Sequence, residues 1–377
     1  MSLRQMFPGG IVKPGFNPLA VQTATVLYEL YAWGENGDGQ LGKGNITDYS
    51  SPSQVGSLTT WLTGVCGRYH TVANKSDGTL WIWGQGSNGK LGLGNTTSYS
   101  SPKQVGALTN WSVIANGCQA LHCVALKTDG SLWAWGQNNW GQLGNGNSTA
   151  YSSPVQIGAL TNWSKVACGG VHTLAIKTDG TLWAWGRGSL GQLGLNNLTP
   201  YSSPKQVGSL TDWLNITAML YTSIATRTNG TIYAFGRNNF GQLASGNTTY
   251  YSSPKQVGAL TNWLSISGGY AHCVATKTDG TLWTWGYNAG GQLASGNTTY
   301  YSSPKQVGSL TTWSKPAGGR NHTAVIKTDG TLWTWGRNGS GQLGLSNRTY
   351  YSSPKQVGSS TTWLSVTAGQ YHTVSLG

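Results

Sequence analysis

Residues 179–186 read Asp179-Gly180-Thr181-Leu182-Trp183-Ala184-Trp185-Gly186. Asp-Gly between two alternating apolar segments is the strongest short-range hairpin signal a sequence offers. Trp183 and Trp185 are two residues apart, so on a strand they share one face, placed to fill a wedge between sheets. The phrase, or a near relative, returns with its glycine at Gly34, Gly84, Gly136, Gly186, Gly236, Gly286 and Gly336, at intervals of 50, 52, 50, 50, 50 and 50 residues. So long a period, with strand alternation inside each unit, predicts an all-β chain closed into a seven-bladed β-propeller. No helical periodicity interrupts it.

Around that phrase the unit runs from Trp163 through Cys168 and His172 to Lys177, the hairpin, Gly191-Gln-Leu-Gly194 and Tyr201-Ser-Ser-Pro204. Pro204 suits the start or edge of a further strand, where a missing N–H does no harm. Three or four short strands per unit follow. The first unit begins midway, at Val26, and the last stops midway, at Gly377. Joined, the halves make one blade, so the N-terminal strand is expected to pair into the sheet begun by the C-terminus and hide two open edges. The propeller is thus expected over 26–377. Residues 1–25, with three prolines and apolar Phe7, Ile11, Phe16 and Leu19, read as an extended arm that docks on a neighbouring subunit.

Gly-x-x-His-Thr, Asp-Gly-x-Leu-Trp-x-Trp-Gly and Gly-Gln-Leu-Gly, recurring in that order, resemble the repeat of the regulator of chromosome condensation family, a seven-bladed propeller. Two units depart from it with Gln242-Leu-Ala-Ser and Gln292-Leu-Ala-Ser. The resemblance implies protein binding through loop faces. Its members include nucleotide-exchange factors for a small GTPase, chromatin binders, ligase-associated modules and a secreted β-lactamase inhibitor.

Charged residues are 9% of the chain and the formal net charge is +13. Most of the excess is periodic. Lys75, Lys127, Lys177, Arg227, Lys277 and Lys327 precede the hairpin turn, and Lys103, Lys205, Lys255, Lys305 and Lys355 follow Ser-Ser-Pro. Two basic rings are expected, read first as a solvated rim and second as an attractor for an anionic partner. No basic run favours nucleic acid. Five cysteines, an odd number, argue against a disulfide framework. No signal peptide or membrane-length apolar stretch is recognisable.

Chemistry is scarce. All six histidines occupy one repeat slot, which points to a structural role, hydrogen-bonding a turn in each blade, rather than to a singular catalyst. Cys66-x-x-x-His70, Cys118-x-x-x-His122 and Cys168-x-x-x-His172 belong to different blades and cannot converge as a tetrahedral site. Five of the ten acidic residues are consumed by Asp-Gly turns. No catalytic residue, metal or cofactor is expected.

The loops after Trp-Gly vary while the frame repeats: Gln137-Asn-Asn-Trp140, Arg187-Gly-Ser-Leu190, Arg237-Asn-Asn-Phe240, Tyr287-Asn-Ala-Gly290 and Arg337-Asn-Gly-Ser340 among them. Trp140, Leu190, Phe240, Arg187, Arg237, Tyr287 and Arg337 are the candidate partner-binding residues, since aromatics with Arg on loops have the composition of interface anchors. The near-identical blades, the Thr/Asn/Ser/Gly composition and the short arm also look like propellers encoded by bacteriophages and microbes. The expected function is therefore a non-enzymatic virion component, tail or capsid-associated, anchored by its arm and binding a virion neighbour or a host-surface molecule such as a glycan. The alternative is an intracellular, cytoplasmic regulatory module of the exchange-factor or chromatin-binding type. A third reading is a carbohydrate-binding lectin.

Overall fold

A computed structural model describes residues 28–115 and 117–377; the expected arm, with Phe7, Ile11, Phe16 and Leu19, lies outside them. The described residues form seven four-stranded antiparallel sheets and no α-helix. In blade three the strands are Trp163–Cys168, His172–Lys177, Leu182–Gly186 and Tyr201–Gln206, joined in that order from the axis outwards. Valine and isoleucine from the innermost strands, Val65, Ile114, Val166, Ile216, Ile266 and Val366, line an axial channel of about 280 Å3 that holds no charged side chain.

The composite blade is present as expected. It joins Ser365–Ala368 and His372–Leu376 to Leu30–Gly34 and Tyr49–Gln54. Register runs from Leu30 opposite Leu376 to Gly34 opposite His372. Glu29 and Gly377 exchange two backbone hydrogen bonds of 3.1 Å. In the six continuous blades, the turn glycine accepts a bond from the next blade's first Trp amide, as Gly180 does from Trp213 at 3.1 Å. The composite blade has a chain break there, and the carbonyl of Tyr28 receives the Trp61 amide instead, at 3.3 Å.

Blades are held to one another by a repeated clamp. The Trp185 indole donates to the carbonyl of Gln142, in the Gly-Gln-Leu loop of the preceding blade, at 2.9 Å. The Thr173 hydroxyl donates to the same carbonyl at 2.7 Å. Because that hydroxyl proton is committed, the His122 imidazole of the preceding blade donates through Nε2 to the Thr173 oxygen, 2.9 Å away. The imidazoles therefore bond across seams rather than to a turn of their own blade. Around this polar belt, Leu126, Leu132 and Leu143 of blade two pack on Trp163 and Trp185 of blade three. Trp163 meets Trp183 and Trp185 edge-on, with centroids 5.9 and 6.1 Å away. Trp185 is fully buried and Trp183 half-buried, so the second tryptophan of each phrase fills the wedge and the first covers its outer end.

The glycines of the phrase follow from this packing. At Gly186, φ is +104° and a Cβ would lie 2.7 Å from the Val171 carbonyl oxygen. At Gly144, φ is +85° and a Cβ would strike the Trp185 indole nitrogen at 2.6 Å. Ala244 and Ala294, in the two departing repeats, take the same left-handed conformation at φ 55° and 57°. The frame accommodates them, at a cost a glycine would avoid.

The first basic ring is corrected by the structure. Lys75, Lys127, Lys177, Lys277 and Lys327 are buried. Each ammonium lies over two indoles; that of Lys127 is 3.5 Å from the Trp133 centroid and 5.1 Å from Trp111. These lysines cap the tryptophan wedge and form no solvated rim. The second ring, Lys103, Lys205, Lys255, Lys305 and Lys355, is exposed on the outer strands.

Blade four lacks parts of the clamp. Phe235 stands where the other blades have an indole, and Thr222 replaces the histidine, donating to the Arg237 carbonyl of its own blade at 2.8 Å. Restoring an indole by Phe235→Trp should stabilise by about 0.5–1.5 kcal/mol, and Trp185→Phe should destabilise by a similar amount or more. Urea midpoints of the two variants check this; shifts of equal sign contradict it.

Burial holds His122, His172, His272 and His322 down to about 3 and His372 to about 4, with His70 also well below the ordinary 6.5. Above 6.5 both folded and unfolded chains carry neutral imidazoles and this contribution is constant. Below it the unfolded chain takes up protons that the folded chain refuses, so stability falls with pH, by up to about 1.4 kcal/mol per pH unit for each histidine. The turn aspartates, lowered first by the Thr or Ser hydroxyl two residues on, act only at lower pH. The urea midpoint should therefore be level near pH 7 and fall between about 6.5 and 5. A level midpoint through that window contradicts the assignment.

Candidate functional site

One end of every blade carries the turn between its first two strands and the loop after its third; the other carries the hairpin turn, or in the composite blade the chain break, and the link to the next blade. The variable slots therefore collect on one face. A constant frame presents them. Buried Asn138 accepts from the Leu143 amide at 2.9 Å and donates to the Thr149 carbonyl at 2.8 Å, folding the loop on itself. Gln142 Oε1 accepts the Trp140 amide at 2.9 Å, and Gln192 and Gln242 hold Leu190 and Phe240 in the same way. The backbone of the variable residue is fixed while its side chain is free to differ. The second of the four variable positions is not free: it is a buried Asn in five blades and Gly86 or Gly188 in the others. In the outer part of the loop, Asn147 Oδ1 accepts the Thr149 amide at 2.9 Å, a turn repeated at Asn247 and Asn297.

On this frame the side chains of successive blades meet in an arc. The Arg187 guanidinium lies 4.6 Å from the Trp140 ring and 5.3 Å from Tyr221. Arg237 is 5.6 Å from both Tyr221 and Phe240. Phe240 packs on Tyr287 at 4.8 Å, and Tyr287 on Tyr300 at 5.0 Å. Tyr270 leads to Arg320 at 5.6 Å, Arg320 to Tyr371 at 5.3 Å, and Tyr371 to Arg337 at 5.5 Å. Arg68, bonded to Gln370 at 2.8 Å, continues the arc from the composite blade into blade one. Trp140 is 40% exposed, while the other tryptophans among the described residues are buried or half-buried.

Trp140, Arg187, Arg237, Phe240 and Tyr287 are thus brought into one run of contacts, and Arg337 stands at its far end. Leu190 is half-buried on the same face. Tyr300 belongs to the arc but to neither variable slot read from the sequence. The residue before Tyr-Ser-Ser-Pro is Asp48, Ser98, Ala150, Pro200, Tyr250, Tyr300 or Tyr350, so comparing units at that slot would have found it.

Among the described residues no three His, Cys, Asp or Glu side chains are grouped as a metal site. The Cys-x-x-x-His pairs diverge: the Cys168 thiol faces the Ala115 carbonyl at 3.3 Å, while the His172 imidazole bonds Ser223 of the next blade at 2.8 Å. All five cysteines are buried thiols. No helix among the described residues is long and apolar enough to cross a membrane.

Comparison with known proteins places the architecture. A family model described as the RCC1-like domain matches residues 29–375. Human WBSCR16 superposes with a TM-score of 0.82 at 21% identity, covering 93% of this chain and 98% of that one. Prp20p from Saccharomyces cerevisiae, described with its binding properties to Gsp1p and histones, gives 0.81 at 20% identity over 93% and 91%. Yeast RCC1 (Prp20) with Kap60 bound gives 0.81 at 18% identity over 100% and 96%. No curated protein sequence matches the chain.

These findings overturn the expectation of a phage tail or capsid-associated protein. The propeller is an RCC1-like domain, and structures resembling it are described with Gsp1p, histones and Kap60. The signals behind that expectation belong to the frame: near-identical blades reflect the clamp, and Asn/Thr-rich loops reflect the repeated side-chain-closed turn. With three motifs in order, seven blades and a family match over nearly its whole length, the chain belongs to the RCC1-like domain family.

Proposed function

We propose that this propeller is a non-enzymatic regulatory module that binds protein partners through its variable face, in the manner of an exchange factor or a chromatin binder. The observation that carries this is the arc of arginines and aromatics crossing five seams on one face. Arg and large aromatics dominate the energetics of protein interfaces, and here they are immobilised before a partner arrives. The family supports the reading, since Prp20p is described as binding Gsp1p and histones. On the same reading the protein acts inside the cell, in a compartment reducing enough to keep its five thiols unpaired.

The test uses the purified full chain with nucleotide-loaded Gsp1p and with core histones. The expected outcome is faster nucleotide release, or retention of histones, lost by about tenfold or more when Trp140, Arg237 and Phe240 are changed together to Ala. These residues hold no part of the seam clamp, so the variant should unfold at a urea midpoint close to that of the parent chain. Absence of both activities in the parent chain, or their persistence in a folded triple variant, contradicts the proposal.

A further inference from the structure

Seven blades of one design offer a partner seven nearly equivalent seatings, and a single orientation requires something that breaks the symmetry. Charge does so on the variable face. Arg187, Arg237, Arg320 and Arg337 occupy the sector of blades three to six. Among the described residues only two ion pairs form, Arg227 with Asp212 and Arg348 with Asp48, so none of these four arginines has a carboxylate within pairing distance. The carboxylates of this face, Glu35, Asp38 and Asp48, all lie in the first loop of the composite blade.

The state of the guanidiniums narrows the chemistry. Arg187 lies between Trp140 and Tyr221, Arg237 between Tyr221 and Phe240, and Arg320 between Tyr270 and Tyr371, each with both rings within 5.6 Å. The Arg187 Nε–H is committed to the Ser189 hydroxyl at 2.7 Å and one Arg320 N–H to the Tyr371 hydroxyl, while the terminal N–H groups of Arg187 and Arg237 are left for a partner's carboxylate, which an arginine can take two bonds at a time. Half-burial has already removed much of the side-chain freedom that binding would otherwise cost. The rings themselves are engaged with guanidiniums or with one another, as Phe240 and Tyr287 are at 4.8 Å. Single-stranded nucleic acid needs a series of open aromatic faces for its bases, and in this arc only Trp140 and Tyr300 keep much exposed area.

Resting on the platform reading above, we infer that blades three to six receive an Asp/Glu-rich segment of the protein partner, and that the guanidiniums gathered in this sector fix one orientation among seven. Opposite charges attract over this one sector, and an attraction confined to one sector of the ring sets orientation as well as affinity.

The experiment measures anisotropy of a labelled Glu-rich peptide, a Lys-rich peptide of equal length and a single-stranded oligonucleotide with the full chain, at low and physiological salt. The Glu-rich peptide should bind, weakening as salt rises. Arg187→Ala with Arg237→Ala should weaken it by about tenfold or more, and the matching Lys pair should recover only part of the loss. Lys205→Ala with Lys255→Ala, on the outer strands, should leave it unchanged. Equal binding of the Lys-rich peptide, tighter binding of the oligonucleotide, or indifference to the folded Arg→Ala pair overturns the inference. If the peptide fails while Gsp1p or histones still bind, the acidic-segment inference falls and the platform reading stands; failure of both removes both.

Discussion

Every seam of this ring turns on one backbone carbonyl, that of the residue before leucine in the Gly-Gln-Leu loop. At the second seam the Gln142 oxygen accepts both the Trp185 indole, at 2.9 Å, and the Thr173 hydroxyl, at 2.7 Å. A carbonyl has two lone pairs, so both are used. The loop supplying it belongs to one blade and the donors to the next, and neither blade is complete alone. Satisfying a buried carbonyl while filling the wedge with an indole ties polar and apolar terms to one geometry; deleting such an indole to alanine costs about 3–5 kcal/mol. This is why Trp, Gly and Gln recur with so little change.

The same constraint divides structure from function. A frame fixed by seam contacts leaves only loop residues free, and it fixes their backbone as well, through Gln142 Oε1 and its equivalents. The side chains that differ are thus displayed from rigid positions on one face. Where they are Arg or aromatic they stack across seams, so the recognition surface is continuous although no blade supplies more than three residues to it. Blade four, at the middle of the arc, also lacks an indole at Phe235 and an imidazole at Thr222.

Much of this was legible in the sequence because period, turn chemistry and packing all impose the same spacing. The 50-residue repeat gave the blades, and the two half-units gave the composite sheet. Trp140, Arg187, Arg237 and Phe240 stood out because they differ where the frame does not. Other features were hidden for physical reasons. Lys127 looks like a surface charge in sequence, but its ammonium is drawn onto two indoles that only the folded blade brings together. Asn138 seems variable because Gly can take its place, yet it is wholly buried and ties the loop together. The histidine bonds cross to the next blade, a contact 51 residues away between His122 and Thr173 that no local pattern reveals. The virion reading failed because it took the composition of the frame as information about assembly.

The account stands on a ring sealed by strands from both chain ends. Amide hydrogen exchange followed by mass spectrometry tests that most directly, comparing Leu30–Gly34 and His372–Leu376 with Leu182–Gly186 of the unbroken third blade. A sealed ring predicts that all three segments exchange together, through the same global opening. Exchange of the two terminal segments well ahead of Leu182–Gly186 would show that the ring opens at the composite blade and contradict the account.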